Sequence, residues 1–438
     1  MNHSPDPVES VRQELSDWRP WVTRALVLAF AAASGLTIVA FTWMAERAHH
    51  GFERLADAAW WAPLLWMPLC AVAIVFLTRR FAPGAAGSGI PQVMAALDAG
   101  VAPHHHSLFV SLKLAAMKMI MTSWGLLAGM SMGREGPSVQ VAAGVMHHAR
   151  RWLPERSTVT EHGLLVAGGA AGIAAAFNTP LAGVMFAIEE LSRRPEQRSS
   201  GLLIAAIVLA GLMAVSVYGN STYFGVIRVP EITLALVGPG LLVAAVCGLT
   251  GGLFSRLLIA SMGSGRDRAS ALRQRRPLVF AAGCALAVAV IGVVTGGATY
   301  GSGYQSTRSL LDGDGATPGV YALFKFLATW LTAWSGVPGG IFAPALSIGA
   351  SLGNDVAWLT GFRDAQALIA LGMAGFLAAV TQAPLTSFII VMEMVDGHGM
   401  VLTLMASALL ASLVSRLLSP PLYGALAELQ LQRLPAAR

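Results

Sequence analysis

The run Gly133-Arg134-Glu135-Gly136-Pro137-Ser138-Val139-Gln140 decides how the rest of the chain is read. It lies inside an apolar stretch, where a carboxylate and a guanidinium are costly and mark a functional site. Pro137 suits the first turn of a helix, because its missing N–H would have no partner there. The flanking glycines let the backbone turn tightly just before it. The spacing therefore predicts a helix that opens within the motif, with Glu135 at its N-terminus. Unpaired N–H groups and the helix dipole attract anions at such an end. The Glu135 carboxylate then competes with any anion that reaches the same groups.

The surrounding composition is that of a membrane protein. Of 438 residues, 55% are hydrophobic and 12% charged, whereas a soluble domain is about one quarter charged. Uncharged windows long enough to cross a bilayer recur: Ala25–Ala45, Ala58–Thr78, Leu202–Ile227, Ile232–Ser255, Pro277–Thr307, Phe326–Gly353 and Ala365–Met392. The chain is read as polytopic, with little soluble mass. The net charge of +6 is no nucleic-acid signature. Its arginines cluster in short loops, at Arg79-Arg80, Arg150-Arg151, Arg193-Arg194 and between Arg266 and Arg276. The positive-inside rule places these loops in the cytoplasm. Cys70, Cys247 and Cys284 fall in apolar runs without metal or disulfide spacing and are read as packing residues. His104-His105-His106 is a short loop tract to which no metal is assigned. The polar N-terminus has no signal-peptide pattern.

The chain repeats itself. Gly340-Ile341-Phe342-Ala343-Pro344 has the G-x-x-x-P spacing of Gly133 to Pro137, displaced by 207 residues, and Lys118 and Lys325 precede the two motifs at the same offset. Pro180-Leu181 recurs as Pro384-Leu385, and Glu189 as Glu393, at an offset of 204. Two homologous halves are expected, at 25–222 and 228–425, between an N-terminal segment 1–24 and a tail 426–438. Residues 1–22 read as a polar lead-in with a short interfacial helix. Gly168 to Pro180 is interrupted by Gly, Asn and Pro and reads as two short helices. Internal repeats with broken helices are the architecture of transporters, whose sites lie at the repeat interface near the membrane midplane. The offset alone leaves open whether the halves are inverted.

Gly87-Ser88-Gly89-Ile90-Pro91 has the same local logic as the other two motifs. Each brings glycine and then proline to a helix start and offers N–H groups without a full positive charge, which suits conduction because a lysine would hold the anion too tightly. With Pro421-Leu422-Tyr423, these motifs resemble the CLC family of chloride channels and proton–chloride exchangers, in the family's order and over about residues 25–430. The resemblance implies an all-α polytopic membrane protein of two inverted-topology repeats with many tilted and broken helices. It also implies a homodimer with one anion pathway per subunit.

Residue by residue, Ser88 and Tyr423 resemble the hydroxyls that bind the central anion, and the N–H groups of Ile341 and Phe342 resemble its other donors. Gly133, Arg134 and Gly136 belong to the anion-binding motif. Glu135 resembles the external gating glutamate, and Glu190 the internal proton-transfer glutamate of the exchangers. An ionised Glu135 would fill the outer anion position, and protonation would release it, so a proton and a chloride contend for one set of donors. Read from its neighbours alone, Glu190 suits an exposed pair with Arg194, like Glu189 with Arg193. Glu189, Glu393, Lys118 and Lys325 are read as structural charges pairing across helices.

The resemblance further implies a bacterial inner-membrane protein with both termini cytoplasmic, with chloride, protons, a second copy and the bilayer as partners, and with no nucleic acid, metal or cofactor. Gln92 and Met94 stand where many relatives carry acids, which leaves Arg134 without an evident partner. Ser88 favours chloride over nitrate, the GREGP form argues against the fluoride-exporting branch, and no nucleotide-binding CBS module is expected after Arg438. The leading expectation is proton–chloride exchange, and the rival on the same fold is a passive chloride channel. An intramembrane enzyme is the rival from another class; the apolar runs carry no Ser/His pairing, HExxH pattern or paired aspartates.

Overall fold

The structure is a computed structural model and describes residues 18–432 apart from 156, 193–199, 220–221, 228–233, 264–267 and 314–319. The lead-in before residue 18, the arginines Arg193 and Arg194, and the end of the tail lie outside the described residues. Among the described residues the only regular secondary structure is helix, together with one isolated backbone bridge.

Helices α1 (Trp18–Ala58), α2 (Ala62–Phe81), α4 (Leu112–Leu127), α8 (Ser200–Tyr218), α9 (Val237–Met262), α11 (Pro277–Val294) and α17 (Val401–Arg416) belong to the segments long and apolar enough to span a bilayer. Between them lie α3 (Ile90–Ala96), α5 (Glu135–His148), α6 (Glu161–Phe177) and α7 (Pro180–Phe186) in the first half. The second half holds α10 (Arg268–Arg275), α12 (Tyr304–Asp312), α13 (Val320–Ser335), α14 (Phe342–Thr360), α15 (Ala365–Thr381) and α16 (Pro384–Met394), and α18 (Leu422–Leu431) closes the chain.

Three apolar windows are not single spans. Phe326–Gly353 is divided between α13 and α14, because Gly336 takes a positive φ and Gly339-Gly340 opens the next helix. Ala365–Met392 is divided at Gln382, and Pro277–Thr307 leaves its helix at Val294 for a glycine-rich turn. Conversely, the first window stops at Ala45 only because Glu46 follows, while the helix itself runs on to Ala58. The expected break before Pro180 is present: Asn178 takes a left-handed conformation (φ 58°) between α6 and α7. Gln382, 204 residues later, does the same (φ 60°) between α15 and α16.

Helices α6 and α15 are buried along nearly their whole length. A helix that is apolar on every side belongs in a core rather than at a lipid face. Each packs against the motif helix of its own half through glycine. A Cβ on Gly172 would stand 2.5 Å from the Ser138 carbonyl oxygen, and one on Gly349 would stand 2.3 Å from that of Gly372. Small residues let helices approach this closely in membranes.

The two halves meet through equivalent residues. The Gly133 N–H donates to the Gly340 carbonyl and the Gly340 N–H to that of Gly133, each at 2.8 Å. An antiparallel bridge has a local twofold axis, and because these glycines are matched positions, that axis relates the halves. A second reciprocal contact obeys it. Glu189 accepts from the N–H groups of Leu385 (3.0 Å) and Thr386 (2.6 Å) at the start of α16. Glu393 accepts from those of Leu181 (3.2 Å) and Ala182 (2.7 Å) at the start of α7. These glutamates are structural, as expected, but they cap helices of the opposite half instead of pairing with cations.

Glu189→Ala and Glu393→Ala should each lower stability by about 2 kcal/mol or more, since each removes two hydrogen bonds to a charged acceptor. Thermal unfolding of the detergent-solubilised protein measures this, and unshifted midpoints for both variants would remove the clamp from the account.

Candidate functional site

Three glycine-led turns converge where the halves meet. The Gly87 carbonyl accepts from the Gly339 N–H at 3.3 Å, which ties the first turn to the third, and the Gly133–Gly340 bridge ties the second to the third. The fit leaves no room for side chains. A Cβ on Gly136 would stand 2.3 Å from Ser88 Oγ, and one on Gly89, already at φ 111°, would stand 2.7 Å from the Gly136 carbonyl oxygen. Helices α3, α5 and α14 start at Ile90, Glu135 and Phe342, within these turns as the motifs predict.

Each turn is braced by buried polar side chains. Lys118, fully buried, donates to the carbonyls of Ala85 and Gly87 at 2.7 Å each. Lys325, equally buried, donates to those of Thr299 (3.0 Å) and Gly301 (2.8 Å), just before α12. The repeated lysines thus hold the turn that leads into the short helix of their own half and do not pair across helices with acids. Gln92 accepts from the Gly89 N–H at 3.0 Å and donates to the Ala86 carbonyl, so the residue that replaces an acid here closes the first turn. Gln140 Nε2 donates to the carbonyls of Gly84 (2.9 Å) and Phe109 (2.6 Å), fixing α5 to the segments around α3.

Glu135 is buried, at 1% exposure. Its side chain folds back over its own turn, so that a Cβ on Gly133 would meet Oε2 at 2.0 Å. The carboxylate faces the N–H groups of Arg134 and Glu135 at the start of α5 and of Ala343 at the start of α14. It therefore sits between two helix N-termini, one from each half, and Oε2 has no hydrogen-bond partner.

Arg134 turns the other way. Its Nη1 lies 2.9 Å from Glu46 Oε1 on α1, which supplies the acid missing from α3. The sequence signal for Glu46 is a carboxylate directly after the apolar window Ala25–Ala45, on the same helix. The Gly133 N–H is taken by Gly340 and is not among the donors an anion could use, which corrects its inclusion in the anion-binding set. Ile341 is the N-cap and Phe342 the first residue of α14, positions whose N–H groups have no partner within the helix.

Two cavities lie against the converging turns. A vestibule of about 850 Å³ is lined by Glu46, Gly133, Arg134, Glu135, Tyr223 and Tyr304, among others. A smaller cavity of about 70 Å³ is lined by Ser88, Gln92, Ile341 and Tyr423. The hydroxyls of Ser88 and Tyr423 are buried and come close to one another where they line this cavity. The Phe342 ring lies beside those of Phe177, Phe186 and Tyr423, with centroids 6.4, 6.5 and 5.8 Å away.

Glu190 stands half-buried on a π-helical turn, Ala187–Ser192, directly after α7. Such turns are frequent at functional sites. Both Glu190 and Glu135 lie within electrostatic reach of Tyr423. The surface pairs with Arg193 and Arg194 fall outside the described residues, while both Glu189 oxygens are engaged by α16.

The family model for voltage-gated chloride channels matches residues 69–416. The chain belongs to the CLC family. It is 32% identical over 385 residues to an H⁺/Cl⁻ exchange transporter ClcA of Vibrio parahaemolyticus, covering 84% of this chain and 79% of that one. It is 30% identical over 465 residues to the ClcA of Cronobacter sakazakii, covering 98% and 94%. Among solved structures it is similar to a slow cyanobacterial Cl⁻/H⁺ antiporter, with TM-score 0.77, 23% identity and 93% of this chain and 98% of that one covered. A CLC-type fluoride/proton antiporter superposes with TM-score 0.76 at 21% identity, covering 96% and 99%. These likenesses establish the CLC fold, with its two inverted repeats, for a multi-pass membrane protein.

Gly133→Ala should displace the Glu135 carboxylate from its place between the two helices, because the added methyl claims that volume and the far end of a side chain yields more easily than backbone. A structure of the variant tests this; a carboxylate left in place would mean that the turn itself moves instead.

Proposed function

We propose that this chain exchanges chloride for protons across a membrane as a secondary transporter, with Glu135 as external gate and Glu190 as internal proton-transfer residue. The observation that carries the reading is the position of the Glu135 carboxylate, buried between the N-termini of α5 and α14 and lining the vestibule. While ionised, it holds the donors that an anion needs, and it separates the vestibule from the Ser88–Tyr423 site. When protonated, it loses its attraction for the helix ends and can turn into the vestibule, and chloride takes its place. One set of donors thus binds either the gate's own charge or the transported anion, which couples proton uptake to anion passage.

Exchange rather than passive conduction is favoured by the named relatives and by Glu190, a carboxylate within electrostatic reach of Tyr423 that in this reading offers protons a route of their own. In this reading the chloride is held by the hydroxyls of Ser88 and Tyr423 and the N–H groups of Ile341 and Phe342. Arg134 and Gly136 shape the outer position, and Glu46 keeps the Arg134 guanidinium turned away from the gate. The transported ions are its substrates, and no enzymatic step is assigned. The working unit is taken as a homodimer in a bacterial inner membrane. The faces bearing Arg79-Arg80 and Arg150-Arg151 are taken as cytoplasmic by their charge. The two repeats are 25–222 and 228–425.

Reconstituted into liposomes under a chloride gradient, the protein should drive protons uphill, as a pH probe reads. Chloride flux without proton movement would return the reading to a channel. Glu135→Ala should abolish proton coupling while anion flux continues, and coupling that persisted would remove Glu135 as the gate. Glu190→Gln should stop proton movement and leave chloride permeation; a coupled flux equal to that of the wild type would leave Glu190 a surface residue.

A further inference from the structure

Outside the pathway, His106 and His147 converge on one carboxylate. His106 Nδ1 lies 2.7 Å and His147 Nε2 2.6 Å from Glu161 Oε1. The two imidazole rings stand at 70° with centroids 6.1 Å apart. Their three donor atoms lie within 4.8 Å of one another. Arg150, half exposed, contacts the other carboxylate oxygen. The three residues come from three segments: the 3₁₀ turn Pro103–Leu108, the last turn of α5 and the first residue of α6.

We propose that His106, His147 and Glu161 form a binding site for a divalent transition metal of the zinc class. Two imidazoles and one carboxylate are a donor set that suits zinc, copper or nickel and not the hard, oxygen-seeking cations. Three protein ligands leave a fourth tetrahedral position to water. Metal–ligand bonds of about 2.0–2.1 Å place tetrahedral donor atoms about 3.3 Å apart. The imidazole nitrogens would draw back from Oε1 by well under 1 Å, and the donor atoms, now within 4.8 Å of one another, would close to that spacing by side-chain rotation. Arg150 holds Oε2 and leaves Oε1 to the metal, and its exposed guanidinium is free to withdraw into solvent. Side chains from separate segments aimed at one point distinguish this cluster from the neighbouring His104 and His105, whose rings meet only each other at 53°, with centroids 4.0 Å apart.

The position has a consequence for the pathway. His147 ends the helix that Glu135 begins, and His106 follows the short helix that the Ser88 turn begins. A bound metal would join these two elements at their far ends. It should slow any movement of one against the other.

Titration of the purified full-length protein with Co²⁺, followed by its visible absorption, tests the site. We expect one ion per chain with the bands of low-coordinate cobalt, and Zn²⁺ should bleach them. His147→Gln and His106→Gln should each weaken binding at least about tenfold, the effect already typical of lost outer-shell partners. The double variant His104→Gln/His105→Gln should bind as the wild type. His106 is itself buried but lies on a short 3₁₀ turn beside the exposed Ser107 and Leu108, outside the α-helices, so its variant keeps the test valid should His147→Gln fail to fold. A spectrum indistinguishable from that of aqueous cobalt, or binding lost in the His104/His105 variant and kept in the other two, would overturn the proposal.

Discussion

Two hydrogen bonds between Gly133 and Gly340 hold the architecture to its purpose. They join the halves at equivalent residues, and the helices that follow begin within two residues of the join. Two helix N-termini are thereby brought together in the interior, where a partial positive charge at each end acts in a low dielectric. Neither glycine could be replaced without disturbance: a Cβ on Gly340 would stand 3.0 Å from the Gly136 nitrogen and from Pro137 Cδ. The glycine–proline pattern is therefore the covalent requirement of this approach. The anion-attracting character of the site follows from it before any charged side chain is considered.

The charges around the site are satisfied by backbone rather than by one another. Lys118 and Lys325 spend their ammonium donors on carbonyls, and Glu189 and Glu393 spend their carboxylates on helix-start amides. A salt bridge between any two of them would cancel their fields. Carbonyl contacts satisfy each lysine's hydrogen bonds within its own half, so both side chains brace backbone turns.

Much of this could be read from the chain. The helix starts at Ile90, Glu135 and Phe342, the doubling of the chain, and the break before Pro180 all follow from local rules about glycine and proline, which act over a few residues. What escaped was set by distant residues. Nothing near Arg134 names Glu46, 88 positions earlier, as its partner. Nothing near Glu189 indicates that its carboxylate caps α16. His106 looked like one of three loop histidines because only the fold turns it, and not His104 or His105, towards Glu161. Hydropathy also merged α13 with α14 and α15 with α16. A window average does not register a single left-handed residue such as Gln382, and in a fully buried helix no polar face marks the end.

The halves agree in geometry and differ in one decisive substitution. At the position equivalent to Glu135 stands Phe342, whose ring is held among Phe177, Phe186 and Tyr423. An aromatic group surrounded by three others has no second place to go, and it fixes the Tyr423 ring whose hydroxyl faces the site. Glu135 has the vestibule beside it and a charge that protonation can remove. Under the proposed function the same helix start is built once as a wall and once as a moving part. A symmetric pair of glutamates would place two like charges at the joined helix ends, where each would oppose the other's ionisation. A symmetric pair of phenylalanines would leave the donors always open. In the proposed reading, only the unequal pair gives a cradle that is closed by a charge and opened by a proton.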